Sequence, residues 1–231
     1  MIRPSLLLLT CALASGAAEI RQYATRVDVA PDGTASAVAT VSVADASGAP
    51  FNLPVGFRMS ALRTLDGPQG LGLEAQHGGV KVTLPPGSAA CTFSFAFTAE
   101  GVFKAERPKA GAKPTIPADS RLVQHAFVNT EAAVIRDYAV EVRLPQGYRF
   151  QTIKEALPKA GRTEIEPRVR LGRTEGRETA LLRINDADQG DSASMLLEAV
   201  PRRRSFLWLV FGAAISALYL FLFRDMTSSK A

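Results

Sequence analysis

Apolar and polar residues alternate two by two along almost the whole stretch from residue 19 to residue 201, which is the period of a strand with one buried face. The run TRVDVAPDGTASAVATVSV predicts two strands joined at Pro31-Asp32-Gly33, because glycine accepts the positive φ that a tight turn requires. GGVKVTLPPG and AACTFSFAFTAEG follow as strands, and RLVQHAFVN, IRDYAVEVRLPQG, RVRLGR, ETALLRIND and SASMLLEAV complete the series. Turn residues punctuate it at short intervals, and no segment before residue 205 carries sustained helical periodicity. The fold class expected is mainly β: an antiparallel β-sandwich, Ig-like or larger. One helical turn is expected in QTIKEALPKAG, ended by Pro158.

A short frame recurs. Val80 to Gly87 reads V-x-V-x-L-P-P-G and Val140 to Gly147 reads V-x-V-x-L-P-Q-G, each a strand running into a proline-glycine turn. Between them FKAERPKAGAKPTIPADS, residues 103–120, is rich in Lys, Ala and Pro and is expected to hold little regular structure. Residues 19–201 therefore form either one large sandwich with a long loop or two sub-domains, 19–103 and 119–201, joined by a linker at 104–118. A long loop inside one domain is often functional, which makes it one place to look for partner contact.

Two segments break the alternation. Phe206 to Phe223 is eighteen residues with no charge and no proline, about 27 Å as a helix and close to the thickness of a bilayer core. Trp208 and Tyr219 stand towards its two ends, where amphipathic rings settle at the interfaces. The expectation is a transmembrane helix at 205–223 with a short cytoplasmic tail at 224–231. Gly212 and Ser216, four apart like Ala213 and Ala217, would give that span a small face for helix packing. Residues 1–18, MIRPSLLLLTCALASGAA, have one arginine, a short apolar run and then small residues, the layout of a cleaved secretory signal peptide. Thr10 before Cys11, and an apolar run that continues past it, argue against a lipoprotein site. Together the two ends predict an exported domain on a C-terminal anchor. Arg202, Arg203 and Arg204 then lie on the outer side, against the positive-inside tendency. Long domains translocate largely regardless of charge, and these arginines can instead reach lipid headgroups.

Charge narrows the field further. The whole chain is +5, but residues 19–201 hold 21 basic and 21 acidic residues, so the excess belongs to the membrane flanks. A neutral exported domain excludes nucleic acid as a partner. After signal cleavage Cys91 is the single cysteine, so no internal disulfide can form, and its place on the Phe93, Phe95, Phe97 face predicts an inert core thiol. None of Asn52, Asn129 and Asn185 begins a glycosylation signal, and arginine outnumbers lysine. A bacterial inner membrane with the β-domain in the periplasm is the expected setting.

The search for chemistry yields little. His77 in a turn and His125 in a strand have no companions at metal-ligand spacing, and both are expected to be structural or solvent-facing. No nucleophile elbow, S-x-x-K, P-loop or dinucleotide fingerprint occurs. Asp186 and Asp188 open a calcium-loop-like frame, but the glycine and the closing glutamate fall out of position, and the frame lies between strands; a polar hairpin turn accounts for it. No catalytic, cofactor or metal residue is nominated and no cofactor is expected. The leading expectation is a non-catalytic module that binds a membrane or envelope protein partner or scaffolds a complex at the bilayer. The alternative is an envelope-polymer hydrolase or transferase with a carboxylate site. Carbohydrate or lipid recognition ranks lower, since the single Trp lies in the apolar run.

Overall fold

The computed structural model describes residues 19–44, 49–88, 90–107, 110–157, 168–202 and 206–228. The leader at 1–18 with Cys11, the pair Arg203 and Arg204, and residues 229–231 of the tail lie outside them. Fourteen strands are found in the described residues: β1 (Glu19–Val29), β2 (Ala35–Ala44), β3 (Phe51–Pro54), β4 (Arg58–Asp66), β5 (Gly72–Gln76), β6 (Gly79–Thr83), β7 (Ala90–Glu100), β8 (Phe103–Lys104), β9 (Arg121–Val128), β10 (Ile135–Arg143), β11 (Tyr148–Leu157), β12 (Arg168–Thr174), β13 (Arg177–Ala187) and β14 (Ser192–Pro201). The protein is mainly β. Its strands form a seven-stranded sheet in the order β12-β13-β10-β1-β2-β7-β4, a four-stranded sheet β11-β14-β9-β8 and a three-stranded sheet β3-β6-β5.

The expected β1–β2 hairpin is present, and its chemistry is visible. Gly33 takes φ +89°, Ala30 and Thr34 close the loop through the Ala30 N–H at 2.8 Å, and Asp32 accepts from the Thr34 N–H and hydroxyl at 2.9 and 2.7 Å. The large sheet contains one parallel pair, β1 with β10, which sets Tyr23 beside Tyr138 and Val27 beside Val142. Strands from before and after the 103–120 stretch thus share one sheet. The described residues up to Val200 form one compact unit, and those from Pro201 a second.

The alternation becomes a core of Val, Ala, Phe and Tyr. Val80, Val82 and Leu84 in one copy of the repeated frame, and Val140, Val142 and Leu144 in the other, are all buried. The two copies lie in different sheets and end in like turns: the Ser88 N–H donates to Pro85 O at 3.3 Å and the Tyr148 N–H to Pro145 O at 3.2 Å, with Gly87 and Gly147 at φ +82° and +88°. The helical turn expected in QTIKEALPKAG before Pro158 is not seen in its described residues, 151–157, which extend β11; an ion pair of Lys154 Nζ with the buried Glu198 at 2.9 Å joins that strand to β14, while residues from Pro158 onward lie outside the described ones.

In the second unit the apolar run forms α1 (Phe206–Ser228). Among the described residues no helix is long and apolar enough to cross a membrane, so the transmembrane expectation at 205–223 gains no support from the structure. What is seen is a helix whose described apolar side chains, from Val210 to Phe221, are exposed.

Candidate functional site

A cleft of about 830 Å³ opens where the three-stranded sheet meets β9 and the start of β4. Its walls come from β3 (Asn52 to Pro54), from the loop and strand start at Gly56 to Met59, from the β5–β6 turn at Gln76 to Gly79, and from the outward side chains of β9 (Ala126, Val128) with Thr130 beyond it. A recess of about 430 Å³ continues it past Arg58 and Glu100 to Lys104 and Gln124.

The floor depends on a close approach. Gly56, at φ +72°, lies against β9 so tightly that a Cβ there would stand 2.3 Å from the His125 ring and 2.6 Å from the Ala126 carbonyl oxygen. Only glycine fits, for both space and backbone angle. Below it His125 is 1% exposed, with Nε2 2.8 Å from the Tyr138 hydroxyl and its ring stacked on Tyr138 and tilted against Phe57. Nδ1 is buried without a hydrogen-bond partner. Either tautomer leaves one donor unanswered: Nδ1–H where the Tyr138 hydroxyl donates to Nε2, or the Tyr138 O–H where Nε2–H donates. Burial lowers the His125 pKa to about 3, so the ring is neutral at physiological pH. Burial also pushes the hydroxyls of Tyr138 and Tyr23 far up; Tyr23 makes no hydrogen bond of ordinary geometry, Thr25 being the polar neighbour that acts on it.

The rim is polar. Arg58 stands opposite Glu100 across the β4–β7 ladder, and Glu100 accepts from the Ser60 hydroxyl at 3.0 Å. Lys104 is exposed at the far end. Asn52 donates to Glu131 at 2.9 Å while its own Oδ1 is buried and unpartnered. Glu100 is the one carboxylate among the described residues lining the cleft and its recess.

Residues singled out from sequence are dispersed. His77 is exposed in the two-residue β5–β6 turn and lines the cleft mouth, whereas His125 is the buried floor. Cys91 is half-buried at the end of the row whose Phe93, Phe95 and Phe97 are buried, and burial raises its thiol pKa. In the polar hairpin after β13, the Asp191 side chain accepts from the Asp188 N–H at 2.6 Å, and Asp186 pairs with Arg136 at 3.1 Å. Asp191 serves the turn, and Asp186 ties β13 to β10. Among the described residues no group of three His, Cys, Asp or Glu converges on a point where a metal ion could bind. Arg202 is exposed, Gly212 and Ser216 lie on α1, and nothing crowds Gly212. The stretch at 103–120 is tied back on itself: Glu106 accepts from the Thr115 N–H at 2.7 Å, from the Thr115 hydroxyl and from the Ile116 N–H at 3.0 Å, and Ile116 is buried.

Asn129, overlooked in the sequence except as a glycosylation candidate, is a buried junction. Its amide donates to the carbonyls of Ala133 at 2.9 Å and Ala187 at 3.0 Å, and its backbone N–H donates to Asp191 O at 2.9 Å. No local pattern announces such a role, because its partners lie in three different segments.

No family model matches the chain, and no curated protein matches it. Solved structures that resemble it include an M1 zinc metallopeptidase from Deinococcus radiodurans, 15% identical, TM-score 0.38, covering 80% of this chain and 42% of that one. Another is a candidate protease from Parabacteroides distasonis, 9% identical, TM-score 0.44, covering 80% of this chain and 41% of that one. The chain spans less than half the length of either, and likeness at this level bears on no activity.

Proposed function

We propose that the chain is an exported, membrane-anchored β-sandwich module that binds a protein partner at the outer face of the bilayer or scaffolds an envelope complex there, and that it does so without catalysis. The observation that carries this reading is the cleft itself. Its walls offer strand backbone, small side chains and scattered polar groups, a surface suited to holding a chain. An envelope-polymer hydrolase would need two carboxylates facing each other, and Glu100 stands without a second among the described lining residues. Export rests on the leader-like residues 1–18, and anchoring on the uncharged run from Phe206 to Phe223. Arg202, Arg203 and Arg204 would meet lipid headgroups, and Gly212 and Ser216 would form the packing face of the span. In a Gram-negative cell the β unit would be periplasmic and the C-terminus cytoplasmic.

Brief cross-linking in intact cells, followed by mild-detergent purification and mass spectrometry, tests the reading. A stoichiometric membrane or envelope protein is expected; protein recovered without any partner would overturn it. Protease added to spheroplasts, whose outer membrane is opened, and to lysates tests the topology, since cutting of residues 19–201 only after lysis would place the β unit inside.

A further inference from the structure

Strand direction in the four-stranded sheet fixes what lies at each of its ends. β9 is antiparallel to β14, with Arg121 opposite Ala199 at one end and Val128 opposite Ser192 at the other. β8 is antiparallel to β9, with Lys104 opposite Leu122. The end of β8, the start of β9 and the end of β14 therefore coincide. The connection from Lys104 to Arg121 begins and finishes where the chain leaves the sheet at Pro201. Only residues 202–205 separate that point from the uncharged run that starts at Phe206, a span of at most about 18 Å.

Charge follows the same axis. Residues 103–121 hold five basic residues against two acidic, which leaves sixteen against nineteen in the rest of 19–201. The basic excess of the neutral β unit is thus gathered in this one connection. Lys104, Arg107 and Lys113 are exposed and make no ion pair among the described residues. Glu106, one of the two acids, is engaged within the connection: it accepts from the Thr115 N–H at 2.7 Å and the Ile116 N–H at 3.0 Å. That clasp leaves residues 107–114, which contain no acidic residue, as the tip. The opposite end of the sheet lies about 25 Å away along the eight residues of β9. Its two connections, 129–134 and 188–191, carry Glu131, Asp188 and Asp191 and no basic residue. The separation exceeds the screening length at physiological salt, so a charged surface meets the two ends independently.

We propose that the connection from Lys104 to Arg121 docks on the anionic lipid headgroups of the membrane that anchors the chain, standing the β unit with its basic end on the bilayer and its acidic end away from it. This rests on the reading of the chain as membrane-anchored. The anchor keeps that end of the sheet within reach of the surface, so the attraction has only to orient the unit, not to capture it. Each lysine or arginine near an anionic surface strengthens attachment about fivefold, and Lys104, Arg107 and Lys113 together shift the docked-to-free ratio by about a hundredfold. The tip has no large apolar side chain to enter the hydrocarbon, so the contact stays at headgroup level.

The test uses the full-length protein with Cys11→Ser and Cys91→Ser, reconstituted in vesicles that carry a headgroup nitroxide lipid. One fluorescent dye is placed at Ala112→Cys in the tip, and in a second preparation at Gln189→Cys in the opposite end. In phosphatidylcholine containing about a quarter phosphatidylglycerol, the dye at 112 should be quenched and the dye at 189 should not. Phosphatidylcholine alone, or Lys104→Glu with Arg107→Glu and Lys113→Glu on the anionic vesicles, should bring position 112 down to the level of 189. Equal quenching at the two positions, or quenching at 112 that ignores lipid charge, overturns the proposal. Alkaline extraction of the same vesicles separates the two readings. Protein that resists alkali while position 112 stays unquenched overturns the docking and spares the anchor; protein released by alkali overturns both.

Discussion

Acid should unfold the β unit by way of His125, and replacing that one residue should remove a measurable part of the effect. The ring is 1% exposed, hydrogen-bonded only through Nε2, and holds its pKa at about 3 against an unfolded value of about 6.5. A histidine whose folded pKa is depressed contributes stability that is complete above the unfolded pKa and is lost as pH falls towards the folded one. Between pH 8 and pH 5 that loss comes to about 2 kcal/mol, and it continues towards pH 3. The second proton has nowhere to go: Nδ1 faces Gly56 and the ring otherwise touches Phe57 and Tyr138, so no carboxylate in its ring contacts compensates the charge. Urea denaturation of the full-length protein, followed by far-ultraviolet circular dichroism at both pH values, measures the total change. His125→Gln keeps an amide where Nε2 was and cannot titrate, so its stability should fall by about 2 kcal/mol less over the same interval. Every other ionisable group is common to the two proteins, so its contribution cancels in the comparison. Equal pH dependence in the two would refute the assignment of a buried neutral imidazole.

Other substitutions read other parts of the structure. Asn129→Ala leaves the buried carbonyls of Ala133 and Ala187 without donors, and should cost about 2–4 kcal/mol in urea denaturation while Asn129→Asp recovers little, since a carboxylate cannot donate. Arg177 donates to Leu144 O at 2.7 Å, Val29 O at 2.9 Å and Asp28 at 2.8 Å, joining the ends of β1, β10 and β13; Arg177→Ala should lower stability by about 2 kcal/mol, and Arg177→Lys should restore less than half because an ammonium cannot reproduce the fork. Glu106→Ala should release the 103–120 loop, read as several-fold faster tryptic cutting after Lys109, the lysine of this stretch followed by alanine and not proline, with an unchanged global unfolding midpoint.

Much of the fold could be read from alternation, and the reason is physical: a residue on a half-buried strand reports its face directly. Val80, Val82, Val140 and Val142 were all assignable on that basis. The partner of a strand is not reported in this way, so the parallel β1–β10 pair, which brings Tyr23 against Tyr138 at 5.3 Å between ring centres, was out of reach. Strands exposed on both faces were invisible for the same reason. β4 is exposed at most positions and bulged, β5 is largely exposed, and β3 contains Pro54, so none showed the period that a sequence reading seeks. The later part of β11 carried the expectation of a helical turn before Pro158, and Gln151 to Lys154, all exposed, have no facial pattern to oppose it. Those unread strands include two that build the cleft, β3 and β4. The candidate site was therefore the least legible part, and His125, legible only as a histidine in a strand, gains its meaning from Gly56 nearly seventy residues away.

The polar floor of the cleft is not what stability alone would select. A buried imidazole with an unanswered nitrogen, held by a tyrosine hydroxyl, is worth less to the fold than two phenylalanines of similar shape. Each single change, His125→Phe or Tyr138→Phe, strands the other partner's polar atom in the core and should cost about 1–3 kcal/mol. The double change strands neither, so the coupling between the two should recover most of that loss and leave the double variant near wild-type stability at neutral pH. It should also flatten the acid dependence worked out above. The hydrogen bond then serves placement: it fixes the ring under Gly56 and, through it, the spacing between the facing wall and the β9 edge. A double variant that stays well below wild-type stability at neutral pH, or that keeps the wild-type acid dependence, would refute this account of the pair.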